Sequence, residues 1–278
     1  MREGRADVEG WTVRVPASTA NLGSAFDAVA VALAAYLEVS DQPGDPAPET
    51  HPAVRAFRGA GGIGPVTVRV QFPGGRGLGF SGASRVGGLV AARVQRGASL
   101  RESRREVLKE AADLEGHADN AAASLFGGVV AVAGGRSVRV PLARDLAVVV
   151  WIPDRETATT SSRRLLPEQV SFDDATFNVG RASLLVAALA AGEVDALRVA
   201  TEDRLYQDRR LARAHDARLA IEAALAAGAY AAWLSGSGPS IAAFVEPDRA
   251  EAIAGMLPSD GRARVLAIEA DGATTTTS

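Results

Sequence analysis

Between residues 73 and 84 the chain reads Pro73-Gly74-Gly75-Arg76-Gly77-Leu78-Gly79-Phe80-Ser81-Gly82-Ala83-Ser84, a set of residue types suited to gripping a phosphate. Glycines let the backbone turn tightly and approach a ligand. Val66, Val68, Val70 and Phe72 alternate ahead of the stretch and predict a strand, and the apolar run 86–94 predicts a helix behind it. The unbonded N–H groups and dipole of a helix start favour an anion. The P-loop of the large NTPase class requires Gly-Lys-Ser/Thr, whereas the only lysine here, Lys109, lies outside this stretch. The expectation is therefore a phosphate loop of a different kind, with a plain structural turn as the competing reading.

Three further segments carry candidate chemistry. Pro16-Ala17-Ser18-Thr19-Ala20-Asn21-Leu22-Gly23-Ser24-Ala25-Phe26-Asp27 is dense in hydrogen-bonding side chains and follows a strand pattern, a common place for ligand contacts. Glu115-Gly116-His117-Ala118-Asp119-Asn120 ends a charged helical pattern, and an acidic residue near phosphates suits Mg²⁺. His117 has no second histidine or cysteine spaced to share a zinc ion, so a hydrogen-bonded structural role is the better reading for it. Leu234-Ser235-Gly236-Ser237-Gly238-Pro239-Ser240 is a second glycine/serine loop, which is a turn by itself but could converge with the first on one ligand.

The elements that must hold these segments follow from periodicity and punctuation. A strand is expected over 11–15, a strand or short helix over 28–37, and an irregular surface excursion over the Pro-, Gly- and Asp-rich 41–64. Strand 66–72, helices 84–95 and 100–114, a hairpin over 127–140 and a buried strand 146–152 come next. Helical patterns dominate 177–191, 193–206 and 211–227, followed by strands 229–234 and 240–245, a helix 248–257 and a strand 263–268. The polar end, 271–278, is expected to be disordered. The fold class is α+β in two domains, 1–143 and 144–270.

Composition bounds the function. A chain of 278 residues can bury one large or two ordinary cores. Its 47% hydrophobic and 23% charged content describes a soluble globular protein. With net charge −3, 5% aromatics and no basic stripe, nucleic acid is not an expected partner. The absence of cysteine excludes disulfides and thiol catalysis. No apolar run approaches the ~18 residues of a membrane span, and the start lacks a signal-peptide pattern, so a cytoplasmic protein without membrane contact is expected.

Taken in order, the four segments resemble the GHMP kinase superfamily. Its first motif is similar to Val15 through Gly23 with Phe26-Asp27, its Gly-Leu-Gly-Ser-Ser loop to Gly77-Leu78-Gly79-Phe80-Ser81, and its third motif to 234–240. Glu115-Gly116-His117-Ala118-Asp119-Asn120 with Leu125-Phe126-Gly127-Gly128, Thr159 and Arg163 ahead of Leu166-Pro167, and 202–207 ahead of Arg210 resemble the homoserine kinase branch. The resemblance runs from about 11 to 246.

It implies a ribosomal S5 domain 2-like N-terminal domain, a ferredoxin-like C-terminal domain, and MgATP-dependent phosphorylation of a small amino alcohol between them, as a step of threonine biosynthesis. It further implies that Asn21, Asp27 and Asn120 position the alcohol, that Arg163 and Arg210 hold its carboxylate, and that His117 and Thr159 support that pocket. Pro73, Gly75, Gly77, Leu78, Gly79, Phe80, Ser81, Gly82, Ala83 and Ser84 would wrap ATP. Glu115 and Ser81 would hold Mg²⁺, with Glu110 as the alternative to Glu115. Asn21, Asn120 and Ser81 would serve catalysis directly.

Where mevalonate-type relatives place a catalytic aspartate this chain has Asn120, which implies transfer without an obligatory general base. Phe80 in place of a serine, Ser24-Ala25 in place of Pro-Gly, Tyr206 in place of a histidine and Asp208 in place of a proline depart from the pattern. A kinase for another small alcohol, and a binding or regulatory protein without turnover, stay open beside the leading reading, as does a homodimer.

Overall fold

The computed structural model describes residues 9–154 and 162–277. β1 (Trp11–Ala20) and β2 (Val29–Ser40) form a long antiparallel pair, with most of their residues buried. The stretch 28–37 is thus strand, as its run of valine, leucine and alanine permits once both faces are covered. The register shifts between Pro16 and Ala17, where proline has no N–H for the ladder, and the last residues of β1 then run on toward the cleft. β3 (Thr67–Val70) pairs with β2, and β4 (Val129–Ala133) and β5 (Arg136–Val140) form the expected hairpin around Gly134-Gly135.

Among the described residues, four helices accompany this sheet: α1 (Pro52–Gly59), α2 (Phe80–Gln95), α3 (Leu100–Glu115) and α4 (Asp119–Phe126). α2 and α4 pack on β1 and β2, with α1 and α3 beside α2. The irregular excursion expected over 41–64 is corrected by α1. His51 Nδ1 accepts from Ala53 N at 3.1 Å and caps it, Pro52 sits in its first turn, and Val54 and Phe57 are buried. Fully burying a side chain such as Phe57 is worth about 1.5–3 kcal/mol, which favours a short helix between Pro- and Gly-rich flanks.

The second sheet runs in the order β7-β8-β6-β9, with β6 (Ala147–Pro153), β7 (Ala231–Leu234), β8 (Ile241–Val245) and β9 (Gly261–Ala267) all antiparallel. Its helices are α5 (Phe172–Ala191), α6 (Leu197–Ala200), α7 (Gln207–Leu211), α8 (His215–Ala226) and α9 (Ala250–Ala254). The helix expected over 193–206 is shorter, a 3₁₀ turn followed by α6. The chain then leaves the helix and the Asp203 carboxylate accepts the N–H groups of Tyr206 and Gln207 at 2.9 and 2.6 Å, starting α7 instead.

The end of the chain corrects a further expectation. Residues 274–277 are not disordered but form β10 (Thr274–Thr277), antiparallel to β1 in the register Trp11↔Thr277 to Arg14↔Thr274. β-Branched threonines suit an edge strand despite their polarity. The first sheet is thereby six-stranded, in the order β10-β1-β2-β4-β5 with β3 on β2.

Candidate active site

The glycine loop ends at Gly79, the N-cap of α2, whose φ of +69° lies in the left-handed region. The helix begins at Phe80 with no side-chain cap and no acidic residue in its first turn. Its first amides therefore lack intrahelical acceptors and add to the positive end of the helix dipole. Gly77, with φ +76°, lies so near the second loop that a Cβ there would overlap the carbonyl oxygen of Ser235. Ser235 Oγ donates to Gly77 O at 2.7 Å and lies 2.8 Å from Thr19 Oγ1, which also accepts from Trp233 Nε1 at 3.0 Å. The end of β1 and both glycine/serine loops thus meet in one place.

The loop 21–27 is held in an uncommon backbone. Asn21, Leu22 and Asp27 have φ of +77°, +38° and +54°, conformations that cost of order 1–3 kcal/mol each and persist only where the surroundings enforce them. Asn21 supplies part of that enforcement, because its Nδ2 donates to Gly236 O at 2.9 Å and its Oδ1 accepts from Asp27 N at 2.9 Å. Ser24 Oγ donates to Ala200 O at 2.7 Å, and Asn178 Nδ2 donates to Ser24 O at 3.0 Å, tying the loop to α6 and α5.

Two arginines face Asp27 and Phe26. Arg163 Nη2 reaches both carboxylate oxygens of Asp27, at 2.9 and 2.8 Å. Arg210, on the turn that Asp203 starts, is buried, and its Nη1 donates to Gly236 O at 3.0 Å. Its Nε has no hydrogen-bond partner, and neither has the buried hydroxyl of Tyr206 beside it. Burial lowers the pKa of Arg210 and holds the Tyr206 phenol well above its ordinary value. The Phe26 ring lies 5.6 Å from the Arg163 guanidinium and 5.2 Å from that of Arg210, giving both cations an aromatic neighbour.

The third edge is the turn between α3 and α4. Gly116 ends α3 in a left-handed conformation, and the next residues bring His117, Asp119 and Asn120 together. Asp119 Oδ1 lies 2.7 Å from His117 Nδ1 and accepts the Asn120 backbone N–H at 2.8 Å. Burial works against the charged form of His117, but the hydrogen bond to Asp119 and the charges of Asp119, Asp27 and Glu115 outweigh it, so its pKa is raised. Glu115 Oε2 stands 3.6 Å from His117 Nε2, and Glu115 Oε1 is ion-paired with Arg85.

These pieces line one cleft of about 110 Å³. Asn21, Asp27, Gly75, Gly77, Gly79, Phe80, Ser81, Gly82, Glu115, His117, Asn120, Arg163 and Arg210 all face it. Pro73, Leu78, Ala83 and Ser84 do not line it. Leu78 joins the core, and the helical turn carries Ala83 and Ser84 inward. Thr159 lies outside the described residues. Glu110 lines a separate groove and pairs with Arg93 at 2.6 Å, which leaves Glu115 as the acidic residue of that helix in the cleft. The Phe80 ring leans over Gly74 and meets His51 and Phe72 edge-on, at 5.6 and 6.4 Å between centroids. Sequence reasoning gave no role to Phe26, Arg85 or Ser18. Phe26 and Ser18 stood inside the first motif, and Arg85 falls one helical turn from Ser81, but nothing in their types announced a contact.

The comparisons with known proteins agree with this architecture. Residues 49–128 match the GHMP kinase N-terminal domain and residues 204–263 the GHMP kinase C-terminal domain, which defines a small-molecule kinase of the GHMP fold. Homoserine kinase of Thermus thermophilus is 39% identical over 91% of this chain and 94% of its own, and that of Caldanaerobacter subterraneus subsp. tengcongensis 37% identical over 89% and 88%. The chain belongs to the homoserine kinase family. In fold it also matches the crystal structure of a homoserine kinase from Cytophaga hutchinsonii, with TM-score 0.82 over 99% of both chains at 23% identity. No helix among the described residues is long and apolar enough to cross a membrane.

Proposed function

We propose that this protein transfers the terminal phosphoryl group of ATP to the side-chain hydroxyl of L-homoserine. The observation that carries the reading is the pairing of opposite recognition chemistries in one cleft of a homoserine kinase family member. A glycine loop and helix start suited to phosphates adjoin a carboxylate and two arginines suited to an amino acid's ammonium and carboxylate groups. Asp27 takes the ammonium group, and Arg163 and the unpartnered Nε of Arg210 take the carboxylate, so the substrate's two charges insert into the ion pair that Asp27 and Arg163 make with each other.

Glu115 and Ser81 fit Mg²⁺ in chemistry, offering a carboxylate and a hydroxyl beside the place for phosphate oxygens. When bound, the ion would neutralise charge on the phosphates. Of this chain's residues, the loop amides hold the phosphates and Asn120 and Asn21 orient the alcohol. Among the described residues three carboxylates line the cleft, and each is already engaged: Asp27 by Arg163, Glu115 by Arg85, and Asp119 by His117 and the Asn120 amide. That supports transfer by positioning and charge neutralisation rather than by an obligatory general base.

The deciding experiment is ADP release from MgATP with homoserine, threonine, serine, mevalonate and galactose in turn. The expected result is turnover with homoserine well above every other alcohol. Preference for a substrate without a carboxylate would overturn the assignment, and no release with any of them would favour a binding role.

A further inference from the structure

The amide of Asn120 is fixed by two neighbours that lie behind it. Ser18, buried in β1, donates from Oγ to Asn120 Oδ1 at 2.9 Å. Asp119, also buried, accepts the Asn120 backbone N–H at 2.8 Å on Oδ1, and Asn120 Nδ2 lies 3.4 Å from that same oxygen. The reversed amide would turn its carbonyl oxygen toward the acceptor-only carboxylate of Asp119, a repulsive contact, so only one orientation satisfies both neighbours. Asp119 Oδ1 binds His117 as well, so one carboxylate oxygen sets two cleft side chains.

We infer that Ser18 and Asp119 are positioning residues that lock the Asn120 amide with Nδ2 as the polar atom presented to the ligand. Asn120 then acts as a hydrogen-bond donor to the acceptor alcohol and never as its proton acceptor. Held by an N–H on one lone pair, the alcohol oxygen aims the other at phosphorus; as the new O–P bond forms, the bond to the ADP oxygen breaks and the hydroxyl proton passes to an oxygen of the transferred phosphoryl group. Ser18 does not line the cleft, and Asp119, which does, is taken up by His117 and the Asn120 amide. The inference rests on the reading of the cleft as a kinase site, but the lock itself exists in the ligand-free protein and can be measured there.

The test uses the full-length protein and two readouts. In the first, the Asn120 side-chain amide signal, assigned by its loss in Asn120→Ala, is followed by NMR without ligands. Ser18→Ala should shift it and speed its proton exchange, and an unmoved signal overturns the lock whatever the substrate proves to be. In the second, Ser18→Ala should lower kcat for homoserine by about tenfold, the effect of one hydrogen bond, with both KM values nearly unchanged. In an Asn120→Ala background the same change should cost almost nothing, because Ser18 acts only through Asn120. An equal loss in both backgrounds overturns the role. Asp119→Asn keeps an accepting oxygen and should stay within about tenfold of wild type, whereas Asp119→Ala should fall well below it. If Ser18→Ala does not fold, the Asp119 pair decides, and equal activity of the two variants sinks the proposal. Wild-type protein inert toward homoserine but showing the amide shift would overturn the substrate and keep the lock.

Discussion

Around the glycine loop the cleft is lined by backbone, whereas around Asp27 and Arg210 it is lined by charged side chains, and the two regions reach readiness by different routes. No charged side chain of the loop lines the cleft: Gly77 and Gly79 adopt left-handed angles and the start of α2 supplies the amides. It is braced by Ser18, Ser235 and the Phe80 ring, and from outside the cleft by Arg76, which donates to Gly74 O and Pro153 O. The proposed substrate region is assembled from residues far apart in sequence, and two of its charges satisfy each other, with Arg163 Nη2 reaching both carboxylate oxygens of Asp27. The backbone region is thus set by chain geometry, while the side-chain region holds an ion pair into which a charged ligand must insert.

The largest expected effect lies on the backbone side. A Cβ at Gly79 would overlap Ser18 Oγ and come within 3.0 Å of Asn120 Oδ1, at an angle that β-branched residues avoid. Gly79→Val should abolish ATP binding in a calorimetric titration and, through Asn120, disturb the alcohol subsite as well. Undiminished affinity for ATP would show that the loop does not depend on close backbone approach.

The side-chain region should break more gently and more selectively. Arg163→Ala is expected to lower kcat/KM for homoserine by about 2–4 kcal/mol equivalent, the range for truncating one partner of a desolvated charge pair, while ATP affinity stays nearly constant. The decarboxylated amino alcohol should be a poor substrate of the wild type and should lose far less on this substitution. Equal rates with and without the carboxylate would remove Arg163 and Arg210 from substrate recognition and erase the contrast between the two regions.

The same contrast explains what the sequence disclosed. Glycine and proline act through the backbone, so the loop at 73–79 and a helix behind it were legible from residue types alone, although that helix begins at Phe80, four residues ahead of the expected Ser84. Arg163, Arg210 and His117 could be placed only through resemblance, because no spacing rule joins residues that meet by folding. The three nitrogens near the Asp119 carboxylate became visible only in three dimensions. The errors elsewhere share a cause. α1 was hidden by the Pro- and Gly-rich flanks around a helix of eight residues, although His51-Pro52 and the Val54–Phe57 spacing marked it. β10 was hidden because its threonines look soluble, and its partner strand lies at the far end of the chain.

The smallest effect concerns the charge on His117. Its ordinary pKa is near 6.5, and in the folded protein the bond to Asp119 with the surrounding carboxylates raises it against the opposition of burial. A group whose pKa is raised on folding binds protons more readily in the native state, so its contribution is complete below the unfolded value. That contribution fades as pH climbs through the folded value. The excess stability of wild type over His117→Gln, from urea midpoints between about pH 5.5 and about pH 9, should therefore be greatest at the acidic end and shrink with rising pH. An excess that grows with pH would mean that burial prevails and the imidazole is neutral. The turn between α3 and α4 would then be held by hydrogen bonds to a neutral imidazole rather than by an ion pair, leaving Asp27, Glu115, Asp119 and the two arginines to carry the charge of the cleft.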